Sequence, residues 1–203
     1  MGPTGRWAEL QGVIASAGFA SGDRMVVGHW PVSPIGPFSD VMWASADGVR
    51  HLLAPSDDAL ALITGVYRFE RTEVVVVDAH LHLRRHGVVL EVRAGPLAVT
   101  FEGGRALPVP FSGRRGVVRR VHGPVARVLL GVRTYGVTPT GVEEWYRATS
   151  VRRVVRARAT RDGVDLGALR PARPAVGFGV SEPPSMPTIV AVRPLLRYPA
   201  EGG

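Results

Sequence analysis

The segment VVVVDAHLHLRRHG contains the residue pattern whose chemistry is easiest to state, an Asp-x-His-x-His run within a predicted β-strand. Side chains alternate along a strand, so Asp78, His80, His82 and Arg84 share one face. Two imidazoles about 7 Å apart along such a face can chelate zinc or iron. This spacing makes a metal-dependent hydrolase centred on His80 and His82 one alternative for the function.

The same pattern resembles the first-strand motif of the metal-dependent amidohydrolases, but the rest of the chain departs from that family. Those enzymes are parallel (β/α) barrels of about 250 residues, in which a helix follows each strand. Here His86-Gly87 predicts a turn into another strand, His122 is the only histidine in the second half of the chain, and lysine is absent. We therefore expect a strand whose polar face meets solvent, and we predict no bound metal and no cofactor.

The composition excludes several kinds of chemistry before any site is considered. The 203 residues include no cysteine, which excludes disulfides, thiolate ligands and cysteine nucleophiles. All 25 basic residues are arginine, so neither a lysine Schiff base nor a P-loop lysine can exist in this chain. The formal net charge of +8 attracts anions, including acidic metabolites and nucleic acid.

A second group of polar residues surrounds the loop Gly36-Pro37-Phe38, with Trp30 before it and Asp40 on the strand that follows. A hairpin at Asp47-Gly48 and a short helix come next. This order resembles the acetoacetate decarboxylase-like group, in which a Gly-Pro-aromatic corner leads into an acid-bearing strand, a hairpin, a short helix and a β-meander. The resemblance covers residues 25 to 102. It implies a β-cone that holds a small keto acid or another carboxylate.

The position of the family's catalytic lysine is where this chain differs. Residues 65–71 resemble the family's Gly…Phe-Pro-Lys turn, and Arg71 stands near the place of the lysine. A guanidinium stays protonated and forms no imine, so decarboxylation by that route is excluded. Arginine can instead bind a carboxylate through its planar fork. The resemblance thus implies a small-molecule-binding domain, and whether the chain is an enzyme stays open.

The predicted ligand-binding residues come from these segments and from the strand after His86-Gly87. They are Trp30, Asp40, Tyr67, Arg71, Glu91 and Arg93. Alternation places Asp40 and Trp43 on opposite faces of one strand unless the strand is bulged. Glu91 and Arg93 share a face, and they become pocket groups only if that face lines the barrel.

The elements that position these side chains are mostly strands. Residues 1–22 are predicted to be an N-terminal lead-in, and residues 23–203 a single β-rich domain. Proline and acidic residues predict a helix over 56–65, and a second short helix is expected over 123–131. Frequent turns, including Asp162-Gly163, favour antiparallel pairing. The expected fold class is mainly β (α+β), an antiparallel curved sheet or open barrel with one or two short helices.

Two arginine clusters define a further alternative, a nucleic-acid or acidic-partner binder. They occupy residues 114–120 and 147–161, with Trp145 and Tyr146 beside the second. Such residues can follow phosphates and stack on bases, although no known nucleic-acid module is recognisable. No apolar run approaches the length of a membrane span, and no secretion signal is visible. We therefore expect a cytoplasmic protein with no membrane partner, and the sequence is compatible with a homo-oligomer.

Overall fold

The computed structural model describes residues 7–108, 135–138, 141–145, 147–179 and 184–199. In those residues the chain forms one helix, α1 (Asp57–Thr64), and seventeen strands. The first nine strands are β1 (Trp7–Glu9), β2 (Gln11–Phe19), β3 (Arg24–Val32), β4 (Phe38–Ala44), β5 (Arg50–Ala54), β6 (Arg71–Val74), β7 (Val77–Arg84), β8 (Gly87–Ala94) and β9 (Leu97–Gly103). The others are β10 (Leu107–Pro108), β11 (Tyr135–Val137), β12 (Glu143–Trp145), β13 (Ala148–Arg161), β14 (Val164–Asp165), β15 (Leu169–Arg170), β16 (Thr188–Val192) and β17 (Leu195–Arg197).

Ten strands form the main sheet, in the order β6-β5-β4-β3-β2-β16-β13-β9-β8-β7, and the sheet curls into a half-barrel. Neighbouring strands in this order are antiparallel except β5 and β6, which are parallel because α1 connects them. Strand β7, at one end of the order, packs against β4 across the open side. The predicted mainly β fold with an open, curved antiparallel sheet is confirmed.

The concave side of the sheet is filled with apolar side chains. Strand β3 contributes Met25 and Val27, and β4 contributes Val41 and Trp43. Leu90, Phe101 and other residues of β8, β9 and β13 meet them from the opposite wall. Alternate residues along each strand therefore face this core, as the two-residue repeat of a strand requires.

The opposite face of the same strands is also buried, because α1 and the C-terminal part of the chain cover it. Val26, Met42 and Leu52 pack there against Ala59 and Ile63 of the helix. The helix begins at the N-cap Ser56, whose hydroxyl accepts the N–H of Ala59, and it ends at Gly65. Its bounds agree with the helix predicted over 56–65. The helix predicted over 123–131 lies outside the described residues.

The N-terminal lead-in contains two strands. Strand β2 pairs with both β3 and β16, so it is an interior strand of the main sheet. Strand β1 pairs with β17 in a second sheet of order β1-β17-β12-β11. This smaller sheet supplies Ala8 and Leu196 to an apolar cluster that also contains Trp30 and Val142, the residue before β12.

Short turns join several of the strands at the predicted places. A turn that includes Asp47-Gly48 joins β4 to β5, and Asp162-Gly163 joins β13 to β14. Asp162 has φ 50° and Gly163 has φ 78°, the left-handed conformation that two-residue hairpin turns need. The predicted strand that contains the Asp-x-His-x-His run corresponds to β7, and a break at residues 75–76 separates it from β6.

Candidate functional site

A cavity of about 250 Å³ opens at the end of the half-barrel where β2 and β13 begin and β3 and β16 end. We call this cavity the barrel mouth. Its lining residues come from β2, β3, β7, β13 and β16 and from the residues next to them. They are Gln11, Gly12, Val13, His29, Pro31, Leu81, Thr149, Ala191, Val192 and Arg193.

Strand alternation explains why polar side chains gather at the barrel mouth. His29 follows Val27 by two residues on β3, so it continues the concave face beyond the apolar core. Arg193, the residue after β16, is four residues from Ile189, so it continues the concave face in the same way. The concave face thus changes from apolar to polar at this end of the sheet.

His29 is held by a partner on the next strand. It lies directly opposite Ser39, and its Nδ1 is 2.9 Å from the Ser39 hydroxyl oxygen. Burial, together with the nearby His80, lowers the pKa of His29 below its usual value of 6.5. The imidazole is therefore neutral at neutral pH, and its Nε2 is the ring nitrogen that Ser39 does not engage.

Arg193 supplies the cation of the barrel mouth. Its backbone N–H donates to the carbonyl of Arg147 over 2.8 Å, which fixes the chain just beyond the end of β16. Its exposed guanidinium makes no hydrogen bond or ion pair with any described residue. The Thr149 hydroxyl, in contrast, donates to the carbonyl of Ala191. A guanidinium with no partner at the rim of a cavity is suited to bind an anion.

The predicted pair Trp30 and Asp40 comes together, but on the convex side of the sheet. The indole N–H of Trp30 donates to Asp40 Oδ1 over 2.8 Å. Asp40 is fully buried, and its Oδ2 has no hydrogen-bond partner among the described residues. Burial raises the pKa of Asp40 to about 7, although the bond from Trp30 acts in the opposite direction. Neither residue lines the barrel mouth.

Sequence reasoning missed His29, Ser39 and Arg193. His29 and Ser39 are each one position away from the predicted residues Trp30 and Asp40. A shift of one residue along a strand moves a side chain to the other face of the sheet. The signal that could have found them is strand alternation. His29 is two residues from Val27, and Ser39 is two residues from Val41, and both valines belong to the concave core. The expectation that Asp40 and Trp43 lie on opposite faces holds, because Trp43 is part of that core.

Tyr67 and Arg71 lie in other places. The Tyr67 hydroxyl donates to Glu144 Oε1 over 3.1 Å, and its ring packs between the two apolar clusters beside α1. Arg71 is exposed on β6, the terminal strand of the sheet, opposite His51. Neither residue lines the barrel mouth.

Glu91 and Arg93 line a second cavity, on the convex face of β8, β9 and β13, with a volume of about 320 Å³. We call it the outer groove. Glu91 and Arg93 therefore lie on the outside of the barrel and do not line its interior, since Val92 between them faces the core. The six predicted residues are thus distributed among four places rather than one.

The histidines of the Asp-x-His-x-His run are on the same convex face as the outer groove. His80 Nε2 contacts Asp78 Oδ1 at 2.8 Å, and His82 Nε2 is 3.9 Å from Glu91 Oε2. The two imidazole ring centroids are 6.1 Å apart. Among the described residues, no three side chains of His, Cys, Asp or Glu converge as metal ligands.

The arginines of residues 147–161 do not form one cationic face. Arg156 pairs with Glu102 at 3.6 Å, directly across β13 and β9. Arg161 pairs with the buried Asp23 at 3.6 Å and lies over the Trp43 ring. Arg152 donates to the carbonyl of Gly104. The cluster at 114–120 and Tyr146 lie outside the described residues, so the nucleic-acid alternative rests on the sequence.

Comparison with protein-family models, with curated proteins and with solved structures finds no match to this chain. The resemblance to the acetoacetate decarboxylase-like group consequently stays a prediction from the sequence. In the part of the chain that the structure describes, no helix has the length and apolar character to cross a membrane.

Proposed function

We propose that this chain binds a small organic carboxylate, of the size of a keto acid, at the barrel mouth. The observation that carries the proposal is the guanidinium of Arg193, which has no polar partner among the described residues and lines the cavity. A planar guanidinium can donate two parallel hydrogen bonds to one carboxylate. Arg193 thus takes the role that the sequence suggested for Arg71.

The size and the walls of the cavity favour a short ligand. A volume of about 250 Å³ is below the usual range of drug-sized pockets. Val13, Leu81 and Val192 offer apolar contact to a short carbon chain. The neutral His29 adds one directed hydrogen bond. If the Ser39 hydroxyl donates to Nδ1, Nε2 carries the ring proton and donates to a carboxylate or keto oxygen.

Binding, rather than imine chemistry, is the proposed activity, because the chain has no lysine. The net charge of +8 raises the local concentration of anions at the surface, which favours the same class of ligand. This proposal keeps the ligand class implied by the sequence resemblance, and it moves the site from Trp30 and Asp40 to His29 and Arg193.

The test is a titration of methyl-labelled protein with 2-oxobutanoate, followed by NMR. We expect shifts of the Val13, Leu81 and Val192 methyl signals, and weaker binding of about ten-fold or more in Arg193→Gln, because a charged hydrogen bond is lost. Arg158→Gln is the matched control, since Arg158 is an exposed arginine of the outer groove, and it should bind like the unaltered chain. The proposal would be contradicted if Arg193→Gln bound 2-oxobutanoate as tightly as the unaltered chain, or if the methyl signals that shift all lay outside the barrel mouth.

A further inference from the structure

The outer groove is shaped by the lengths of the side chains on three neighbouring strands. The middle strand β9 presents the short side chains of Ala98 and Thr100, which form the floor. The flanking strand β8 presents Arg93, and β13 presents Arg158, which are long enough to form walls. The groove therefore follows directly from the sequence of these strands once their order in the sheet is known.

Strand register places the charged groups of the groove at diagonal corners. Thr100 lies directly opposite Glu91 on one side and Arg158 on the other. In the next row, Ala98 lies opposite Arg93 and Thr160. Two strand spacings, about 10 Å in total, separate the backbones that carry the two arginines. Both guanidiniums can reach across the floor toward one bound group.

Neither guanidinium is neutralised within the described part of the chain. Arg93 and Arg158 make no hydrogen bond or ion pair there. Asp78, directly opposite Arg93, contacts His80 instead. Glu91 is closest to His82, at 3.9 Å. Glu91 is the one acidic side chain among the described residues that line the groove, so the two unpaired arginines leave an excess of positive charge that an anion would relieve.

The hydroxyls of the groove provide further donors. Those of Thr100 and Thr160 make no hydrogen bond with any described residue. Thr100 lies directly opposite Arg158, and Thr160 follows Arg158 by two residues on the same face of β13. A carboxylate has one negative charge and two oxygens. A phosphate group has three terminal oxygens and a charge between about −1.5 and −2 at neutral pH. Two guanidiniums and two hydroxyls suit the second group better.

We propose that the outer groove is a binding site for a phosphate group, either free phosphate or a small phosphate monoester, held by Arg93 and Arg158 with Thr100 and Thr160. It is independent of the carboxylate site, because Val92, Val99 and Ala159 separate the groove from the barrel core. The Glu91 carboxylate, at one corner of the groove, accepts a hydrogen bond from a hydroxyl of a bound monoester.

The surroundings disfavour an extended polyanion in the same groove. The acidic side chains of Asp78 and Glu102 lie on the same convex face, on β7 and β9, outside the groove. A nucleic-acid strand that extended beyond the groove across this face would bring its phosphates close to them, and like charges repel. The groove is thus suited to one phosphate group rather than a series of them.

The test is a titration of methyl-labelled protein with inorganic phosphate and, separately, with glycerol 3-phosphate. We expect shifts of the Ala98, Thr100 and Thr160 methyl signals, and none at Val13 or Ala191 of the barrel mouth. Arg93→Gln and Arg158→Gln should each weaken binding by about ten-fold or more. If the two probes bind equally, the group recognised is phosphate itself; tighter binding of glycerol 3-phosphate indicates a monoester.

Arg156→Gln is the matched control, because Arg156 is an exposed arginine on the same strand and face but is paired with Glu102. It should bind phosphate within about two-fold of the unaltered chain. Thermal unfolding of each variant checks that the fold is retained. Three outcomes would overturn the proposal: no methyl shifts at tens of millimolar of either probe, equal loss of affinity in Arg156→Gln, or tighter, strongly salt-dependent binding of a single-stranded oligonucleotide.

Discussion

The indole N–H of Trp30 and the Asp40 carboxylate are joined by a buried hydrogen bond of 2.8 Å across β3 and β4. Gly28, directly opposite Asp40, leaves the space in which the two side chains meet. Asp40 Oδ2 has no partner within the described part of the chain, so there this bond satisfies only one of the two carboxyl oxygens. The arrangement makes the stability of the protein sensitive to the protonation of one residue.

The first prediction concerns pH. Because the pKa of Asp40 is raised to about 7, the folded state holds a proton that the unfolded chain releases near its ordinary value of 3.8. Its contribution to stability is fully present below about pH 4 and is lost as pH rises toward 7, by roughly 4 kcal/mol at most. Asp40→Asn should remove this dependence, so the variant should lose less stability than the unaltered chain between pH 5 and pH 8.

Urea unfolding of both proteins at pH 5 and pH 8 measures the effect. The difference between the two proteins is the relevant quantity, because buried histidines contribute a pH dependence of opposite sign that both share. Asp58→Asn, on the exposed side of α1, is a suitable control. The prediction would be contradicted if the unfolding free energy changed from pH 5 to pH 8 by the same amount in the Asp40→Asn variant and in the unaltered chain.

The second prediction tests the space at Gly28. A Cβ there would lie 2.4 Å from both Asp40 Oδ1 and Trp30 Nε1. Gly28→Ala should therefore destabilise the fold by roughly 1–3 kcal/mol, because both partners are buried and must shift. At Gly104, the nearest atom to such a Cβ is 3.5 Å away, so Gly104→Ala is the matched control. Equal unfolding free energies for the two variants would show that the site relaxes without cost.

The third prediction concerns the end of the half-barrel opposite the mouth. There the buried Asp23 accepts hydrogen bonds from Trp43 Nε1 at 2.7 Å and from the Ser21 hydroxyl at 2.6 Å, and Arg161 pairs with it. Asp23→Ala should cost about 2–4 kcal/mol, since it leaves these donors without their acceptor. Glu102→Gln, which removes an exposed ion pair with Arg156, should cost less than about 1 kcal/mol. Chemical denaturation of both variants decides the matter; similar losses would contradict the assigned role of Asp23.

The fourth prediction concerns His29. Its pKa lies below 6.5, chiefly because it is buried and secondarily because His80 is close. His80→Gln should raise the pKa of His29 without bringing it to the ordinary value. The Cε1 proton of His29, followed by NMR against pH, reports the titration directly. A pKa of 6.5 or higher in the unaltered protein would remove the argument for a neutral ring at the barrel mouth.

Local features of the sequence were sufficient for the helix and the short turns. Ser56, the acidic first turn and Gly65 define α1 through contacts within a few residues. Asp162-Gly163 forms its hairpin because these residue types tolerate positive φ. Lysine-free composition alone excluded Schiff-base chemistry. Each of these conclusions depends on the identity of neighbouring residues and not on distant contacts.

The face of each strand that lines the barrel could not be decided from the sequence. On β4 both Val41 and Met42 are buried, because the concave core covers one face and α1 covers the other. A strand buried on both sides shows no apolar–polar alternation to distinguish inside from outside. Alternation therefore correctly separated Asp40 from Trp43, yet it could not show that His29 lines the barrel mouth with Ser39 as its hydrogen-bond partner.

The pairing of distant segments was decided by the tertiary structure alone. Arg93 and Arg158 share the outer groove because β8, β9 and β13 are neighbours in a particular register. Arg193 reaches the barrel mouth because β16 lies between β2 and β13. Strand order and register result from the burial of many apolar side chains at once, and no short stretch of sequence contains that information. The sequence thus excluded lysine and cysteine chemistry, and the folded sheet decided which side chains lie together.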